Sequence, residues 1–202
     1  PILWSRLFFD LQAYLAMAAT DGALVMRWFH REFGEALKAR YLAAPSDLTR
    51  IHGALADLFE AEEREQRPDS TDDTDLFRAT DASGTPSSAA LRRVMEQPWQ
   101  LAAGGRNDEL RVLLTDFGFC MGKCAANRAA DLVADMTAMA RGGESWRSAE
   151  AWRRFFLRCG HMLRRGDVKW PSHKILLQLG IEEADDAPIT QAAEAWLERG
   201  AC

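Results

Sequence analysis

The chain reads as mainly α, and three observations lead there. Apolar residues recur at helical spacing through most of its 202 residues. Glycine pairs and prolines cut that pattern into short segments. One stretch alone, Leu24 to Phe29, concentrates branched, long apolar and aromatic side chains in the manner of a strand. With 48% hydrophobic and 27% charged residues, the chain has enough apolar material to bury a core.

Taken in order, Leu3, Leu7, Leu11, Tyr14, Leu15 and Met17 predict an amphipathic helix over 2–18. Thr20-Asp21-Gly22 signals a turn before the strand at 24–29. From Arg31, the spacing of Phe33, Leu37, Tyr41 and Leu42 predicts a second helix, stopped by Pro45. Ser46 is a suitable N-cap for a third helix, with Leu48, Ile51, Leu55, Leu58 and Phe59 on one face.

Composition changes near Glu60. From Glu60 to Asp81 there are nine acids and three bases, among prolines, serines and threonines. The chain's net charge of −5 is therefore local to this stretch. Such a segment fits an exposed, disordered linker, and an acidic docking strip is the second reading. From Ala90 helical segments resume and end at Gly104-Gly105, Gly142-Gly143, Gly166 and Gly180, with Asn107 and Ser145 as N-caps. Trp152, Phe155, Phe156, Cys159, Met162 and Leu163 form one apolar face, and Ile175, Leu176 and Leu179 another. Short helices with tight turns predict stacked hairpins of α-solenoid kind. The expected organisation is therefore residues 1–63, an acidic linker at 64–89, and a helical-hairpin domain at 90–202.

The acidic balance argues against a chain that coats nucleic acid or an anionic membrane. No apolar run is long enough to span a bilayer. No secretory leader is visible, and four cysteines with seven methionines fit a reducing cytoplasm. A start at Pro1 suggests a fragment or a processed product.

Motifs for chemistry are sparse. There is no Walker A loop, no G-x-S-x-G elbow and no H-E-x-x-H. Cys120, Cys124, Cys159 and His161 supply four zinc-ligand types, but one-turn spacing inside a helix suits buried core thiols better, and no metal site is expected. Arg153, Arg154, Arg158, Arg164 and Arg165 read as a solvated face, with phosphate or partner binding as the second reading. Trp28, Trp99, Trp146, Trp152 and Trp196 read as core anchors. His30 follows the strand and opens a helix, where free backbone N–H groups favour an anion.

The spacing His30, Phe33, Glu35 resembles the end of the winged-helix domain in STAND-class NTPases, and Phe29-His30-Arg31 stands where that class carries methionine-histidine-aspartate. Arg31 departs from the usual aspartate. Trp4 to Leu42 is similar to the winged-helix close of NACHT proteins that carry WD-repeat propellers. Gln97-Pro98-Trp99-Gln100-Leu101-Ala102-Ala103-Gly104, then Leu113-Leu114-Thr115-Asp116-Phe117, is similar to their helical linker. Gly160-His161-Met162-Leu163 and Leu176-Leu177-Gln178 resemble the last hairpin before the propeller. Relatives carry apolar residues where Cys120 and Cys124 stand, in keeping with core thiols.

The resemblance implies a partial winged helix followed by helical hairpins. It implies a regulatory and connecting role between an NTPase upstream and a β-propeller downstream, and no catalysis by this chain. His30 would sense the nucleotide phosphate in an intact parent. ADP or ATP would be a cofactor of that parent only, and the neighbouring domains would be the partners. A free-standing α-helical adaptor that binds protein is the second reading. A winged-helix DNA-binding regulator is the third, disfavoured because the first helix carries only Arg6 as a base.

Overall fold

A computed structural model of the chain describes residues 8–20, 23–65, 88–139 and 149–199. The described part is mainly α, with one two-stranded sheet. It forms two compact units, which divide after Arg50.

The first unit corrects the expected helix over 2–18. Residues 8–11 are helical and Gln12–Tyr14 form a 3-10 turn, but Leu15–Thr20 is a strand, β1. It pairs antiparallel with β2, Ala23–Trp28, in a register that sets Leu15 opposite Trp28 and Thr20 opposite Ala23. Leu, Ala and Met are good helix formers, so ladder pairing overrides local propensity here. Asp21-Gly22 joins the strands in sequence and lies outside the described residues. The Phe29 N–H donates to the Tyr14 carbonyl at 2.8 Å and closes the far end of the ladder. Helix α1, Arg31–Tyr41, then brings Phe33 against the rings of Tyr14 (4.7 Å between centroids) and Trp28 (6.0 Å).

Helix α2, Pro45–Glu65, begins at the proline that ends the preceding pattern. Proline fits the first helical position because its missing N–H has no partner there in any case. Ser46 therefore lies inside the helix and does not cap it. The expected first boundary lay at residue 63. From Ile51 onward α2 instead groups with the second unit, where its residues hold α3, Ser88–Ala103. Arg92 meets Glu62 at 2.7 Å, and His52 Nδ1 lies 2.7 Å from Gln100 Oε1. Of the linker expected at 64–89, residues 64–65 end α2 and 88–89 begin α3, and 66–87 lie outside the described residues, as do Gly142-Gly143, Ser145 and Trp146.

The second unit continues with α4 (Asn107–Leu114), α5 (Phe117–Ala125) and α6 (Ala129–Met139). It ends with α7 (Glu150–Leu163), α8 (Ser172–Ile181) and α9 (Pro188–Glu198). Consecutive pairs α3–α4, α6–α7 and α8–α9 pack together, and they close around α5, which touches α3, α4, α6, α8 and α9. Every residue from Phe117 to Cys124 is buried, so α5 is the spine of the core. Asp116, which the sequence offered as part of a motif but not as a cap, caps it: its carboxylate accepts from the Phe119 N–H at 2.6 Å. Asn107 is the first residue of α4, whose cap position is Arg106. The turn at Gly104-Gly105 is built by two demands. Gly105 has φ +70, and a Cβ on Gly104 would stand 3.0 Å from the Gly53 nitrogen of α2.

Trp152 and Trp196 are core anchors as expected, but Trp99 is 57% exposed, its ring set at a right angle to His52, and Trp28 is half-buried. Trp99 misses the core because it lies on an exposed face of α3, while Gln97 and Gln100 take the buried side and bond to Glu60 and His52 of α2. Among the described residues no helix is long and apolar enough to cross a membrane.

Candidate functional site

The sequence places its one sensor residue at a strand-to-helix junction, and the structure has that junction. His30 follows β2 as the N-cap residue of α1, with extended backbone and no side-chain capping bond. Its ring is exposed and meets Phe29 edge-on at 4.8 Å. Phe33 supports the junction from below through Tyr14 and Trp28. Glu35 is occupied: Arg31 Nε donates to it at 2.6 Å across one helical turn. Arg31, the residue that departs from the family pattern, thus pairs with a residue that keeps it.

The arginine cluster divides into two groups. Arg153 and Arg154 both bond Glu150, at 2.7 and 2.9 Å, and together hold its carboxyl down at about 2. Arg158 pairs with Glu183, in the turn that follows the next helix, and lies over the Phe155 ring. The sequence suggested a solvated face, and these three are in addition paired with carboxylates. Arg164 and Arg165 begin a different neighbourhood, the turn into α8. There Asp167 accepts from the N–H groups of Lys169 (2.8 Å) and Trp170 (2.7 Å), and Ser172 Oγ donates to the Leu163 carbonyl at 2.7 Å. A Cβ on Gly166 would collide with the Ser172 nitrogen, so the two arms of the turn touch.

The three described thiols lie in the core. Cys120, Cys124 and Cys159 are buried and free, and burial raises the first well above the usual thiol range and the second to about 12. His161 is exposed, with Nδ1 2.9 Å from the Arg158 carbonyl. Among the described residues no group of three or more His, Cys, Asp or Glu is placed to hold a metal.

Sequence reasoning missed the polar contacts of the second unit. Lys123 is 1% exposed on α5 and pairs with Asp135 of α6, beneath the Phe119 ring. Burial raises the Asp135 carboxyl, against the pull of Lys123. Arg93 and Gln97 are buried on α3, with Arg93 donating to Gln97 at 2.9 Å, and they floor a cleft of about 340 Å³ beside Glu60, Leu101 and Phe119. Arg106 ties α4 to α2 by bonds to the Gly53 carbonyl at 3.1 Å, Asp57 and Glu109. A lysine between two cysteines on an apolar helix was the available signal, since an ammonium there needs a carboxylate nearby.

A second, larger concavity of about 560 Å³ lies between α6 and α7. Val133, Ala134, Leu157 and Gly160 line its apolar part, and His161 and Arg164 stand at its edge.

No family model and no solved structure matches the chain. A stretch of 59 residues is 42% identical to NACHT domain- and WD repeat-containing protein 1 of Homo sapiens, and 37% identical to that of Mus musculus. The match covers 29% of this chain and 4% of each relative, so the chain corresponds to a small part of their length. This partial likeness fits a protein of NACHT and WD-repeat type.

Proposed function

We propose that this chain is a connecting, regulatory helical segment of a STAND-type signalling NTPase of the NACHT and WD-repeat kind. The observation that carries the reading is the local similarity to the NACHT and WD-repeat protein. The fold supports it: a short helical turn, a hairpin and a helix come first, in the order in which a winged helix closes, and a helical unit follows. On this reading the chain relays nucleotide state and ligand sensing between a cytoplasmic NTPase module and a propeller. It hydrolyses nothing itself, and ADP or ATP is held by the parent's phosphate cradle.

His30 is the residue of this chain that would meet the nucleotide. Its exposed ring, at the start of α1, is free to turn toward a phosphate oxygen and donate to it. A charge-assisted hydrogen bond of that kind contributes about 1.5–3 kcal/mol. His30→Ala in the full-length parent is then expected to weaken ADP binding about ten- to a hundredfold and to raise resting signalling. Unchanged ADP affinity with unchanged resting activity would leave His30 a purely structural junction. The open reading frame tests the wider proposal: a Walker A loop upstream and WD repeats downstream are expected, and the absence of both would refute it.

A further inference from the structure

We propose that the groove between α6 and α7, with the basic turn that continues it, docks the chain's own acidic stretch from Asp69 to Arg78. The inference does not depend on the parent proposed above.

The first observation is the division among the bases. Arg153, Arg154 and Arg158 are each engaged by a carboxylate. Among the described residues, the side chains of Arg164, Arg165, Lys169 and Lys174 make no ion pair or hydrogen bond. All four are exposed and sit on the two arms of one turn, where the bonds of Asp167 and Ser172 hold the backbone in place. Held bases of one sign, unpaired on an acidic chain, are a site for carboxylates.

The second observation is the groove, which Arg164 joins to that turn. Its apolar part has room for a pair of side chains, and its one charged residue is basic. A ligand that fits both parts carries acids next to adjacent apolar residues. The sequence contains such a stretch: Asp69, Asp72, Asp73 and Asp75 stand against the single base Arg78, and Leu76-Phe77 follows the last acid directly. Leu76 and Phe77 would take the groove while the aspartates meet the arginines and lysines.

Reach is sufficient. Phe77 is eleven residues from Ser88, and a chain of that length spans up to about 36–40 Å. Ser88 begins α3, a helix about 24 Å long that packs against α6, one wall of the groove. An anionic bilayer would also attract the four bases, but a concave groove on a chain of net charge −5 suits a peptide better.

Zero-length carbodiimide coupling of the intact 202-residue chain, read by mass spectrometry, tests the proposal. Lys169 or Lys174 is expected to couple to Asp72, Asp73 or Asp75, and a mixture of isotopically light and heavy protein should show coupling within one chain. Leu76→Ser/Phe77→Ser, Arg164→Glu/Arg165→Glu and Ala134→Trp, which fills the groove, should each lower the yield about tenfold. Ala134→Ser should leave it unchanged. Amide exchange of the unmodified chain gives an answer free of variants, with protection expected at Leu76 and Phe77. Absent coupling, coupling that survives both Ala134→Trp and Leu76→Ser/Phe77→Ser, or free-chain exchange at Leu76 and Phe77 would overturn the proposal. Coupling only between light and heavy chains would assign the groove to a second copy. Co-sedimentation with phosphatidylserine vesicles that is lost in Arg164→Glu/Arg165→Glu, without coupling, would assign the bases to lipid.

Discussion

In the first unit Tyr14, Trp28 and Phe33 stack at one end of a hairpin, yet no described residue of that unit is fully buried. In the second unit α5 is buried from Phe117 to Cys124, and helices cover it on several sides. Both units use aromatic side chains. They differ in what surrounds them. A two-stranded hairpin has one ladder and two faces, so a helix laid on one edge leaves Met17, Met26, Phe29 and Tyr41 exposed. A helix enclosed by others can bury every residue, including a lysine, provided that the charge is answered. Among the described residues the buried core therefore lies in the second unit.

The largest expected effect tests the enclosed charge. Asp135→Ala leaves Lys123 buried without its partner and should cost about 3–5 kcal/mol in urea unfolding of the second unit. Lys123→Met with Asp135→Leu should recover most of that loss, because two apolar side chains need no mutual pairing. A double variant as unstable as the single one would show that the pair does more than answer a buried charge.

Core truncation sharpens the contrast between units. Phe156 is fully buried, and Phe156→Ala should cost about 3–5 kcal/mol. Phe33→Ala removes a partly exposed ring and should cost about 1 kcal/mol, seen in exchange of the β1 and β2 amides while the second unit stays intact. Equal losses would mean that the first unit shares the stability of the second. Asp116→Ala, which removes the cap of α5, should cost about 1 kcal/mol in the same urea assay.

The smallest effect is electrostatic and lies on the surface. The Glu150 carboxyl is held at about 2 by Arg153 and Arg154, below its ordinary 4.5. A depressed carboxyl stabilises the fold fully above the ordinary value and loses that contribution as pH falls from about 4.5 to about 2. Glu150→Gln should flatten the acid limb of a stability–pH profile across that window by slightly lowering its neutral end, and leave stability below about pH 2 nearly unchanged. An unaltered acid limb would show that the pair is screened out in solution.

Sequence alone determined the mainly α character, the strand before His30, the helix after it and the ends of α3, α7 and α8. These depend on periodicity, proline and glycine, which act within a few residues. It also placed Cys120, Cys124 and Cys159 inside and His30 at a junction, because each position follows from its immediate neighbours. Tertiary structure alone decided the rest. Leu15–Thr20 is a strand because β2 offers it a ladder, although its residues favour a helix. From Ile51 onward α2 belongs with α3 because Glu62 and His52 find partners there. Arg158 is paired because Glu183 arrives from beyond the next helix, whereas Arg153 and Arg154 meet Glu150 on their own helix at a spacing that sequence already carries. Lys123 is tolerated inside because Asp135 arrives from another helix. In each case the deciding partner is remote in sequence or set by a turn, and local pattern carries no record of it.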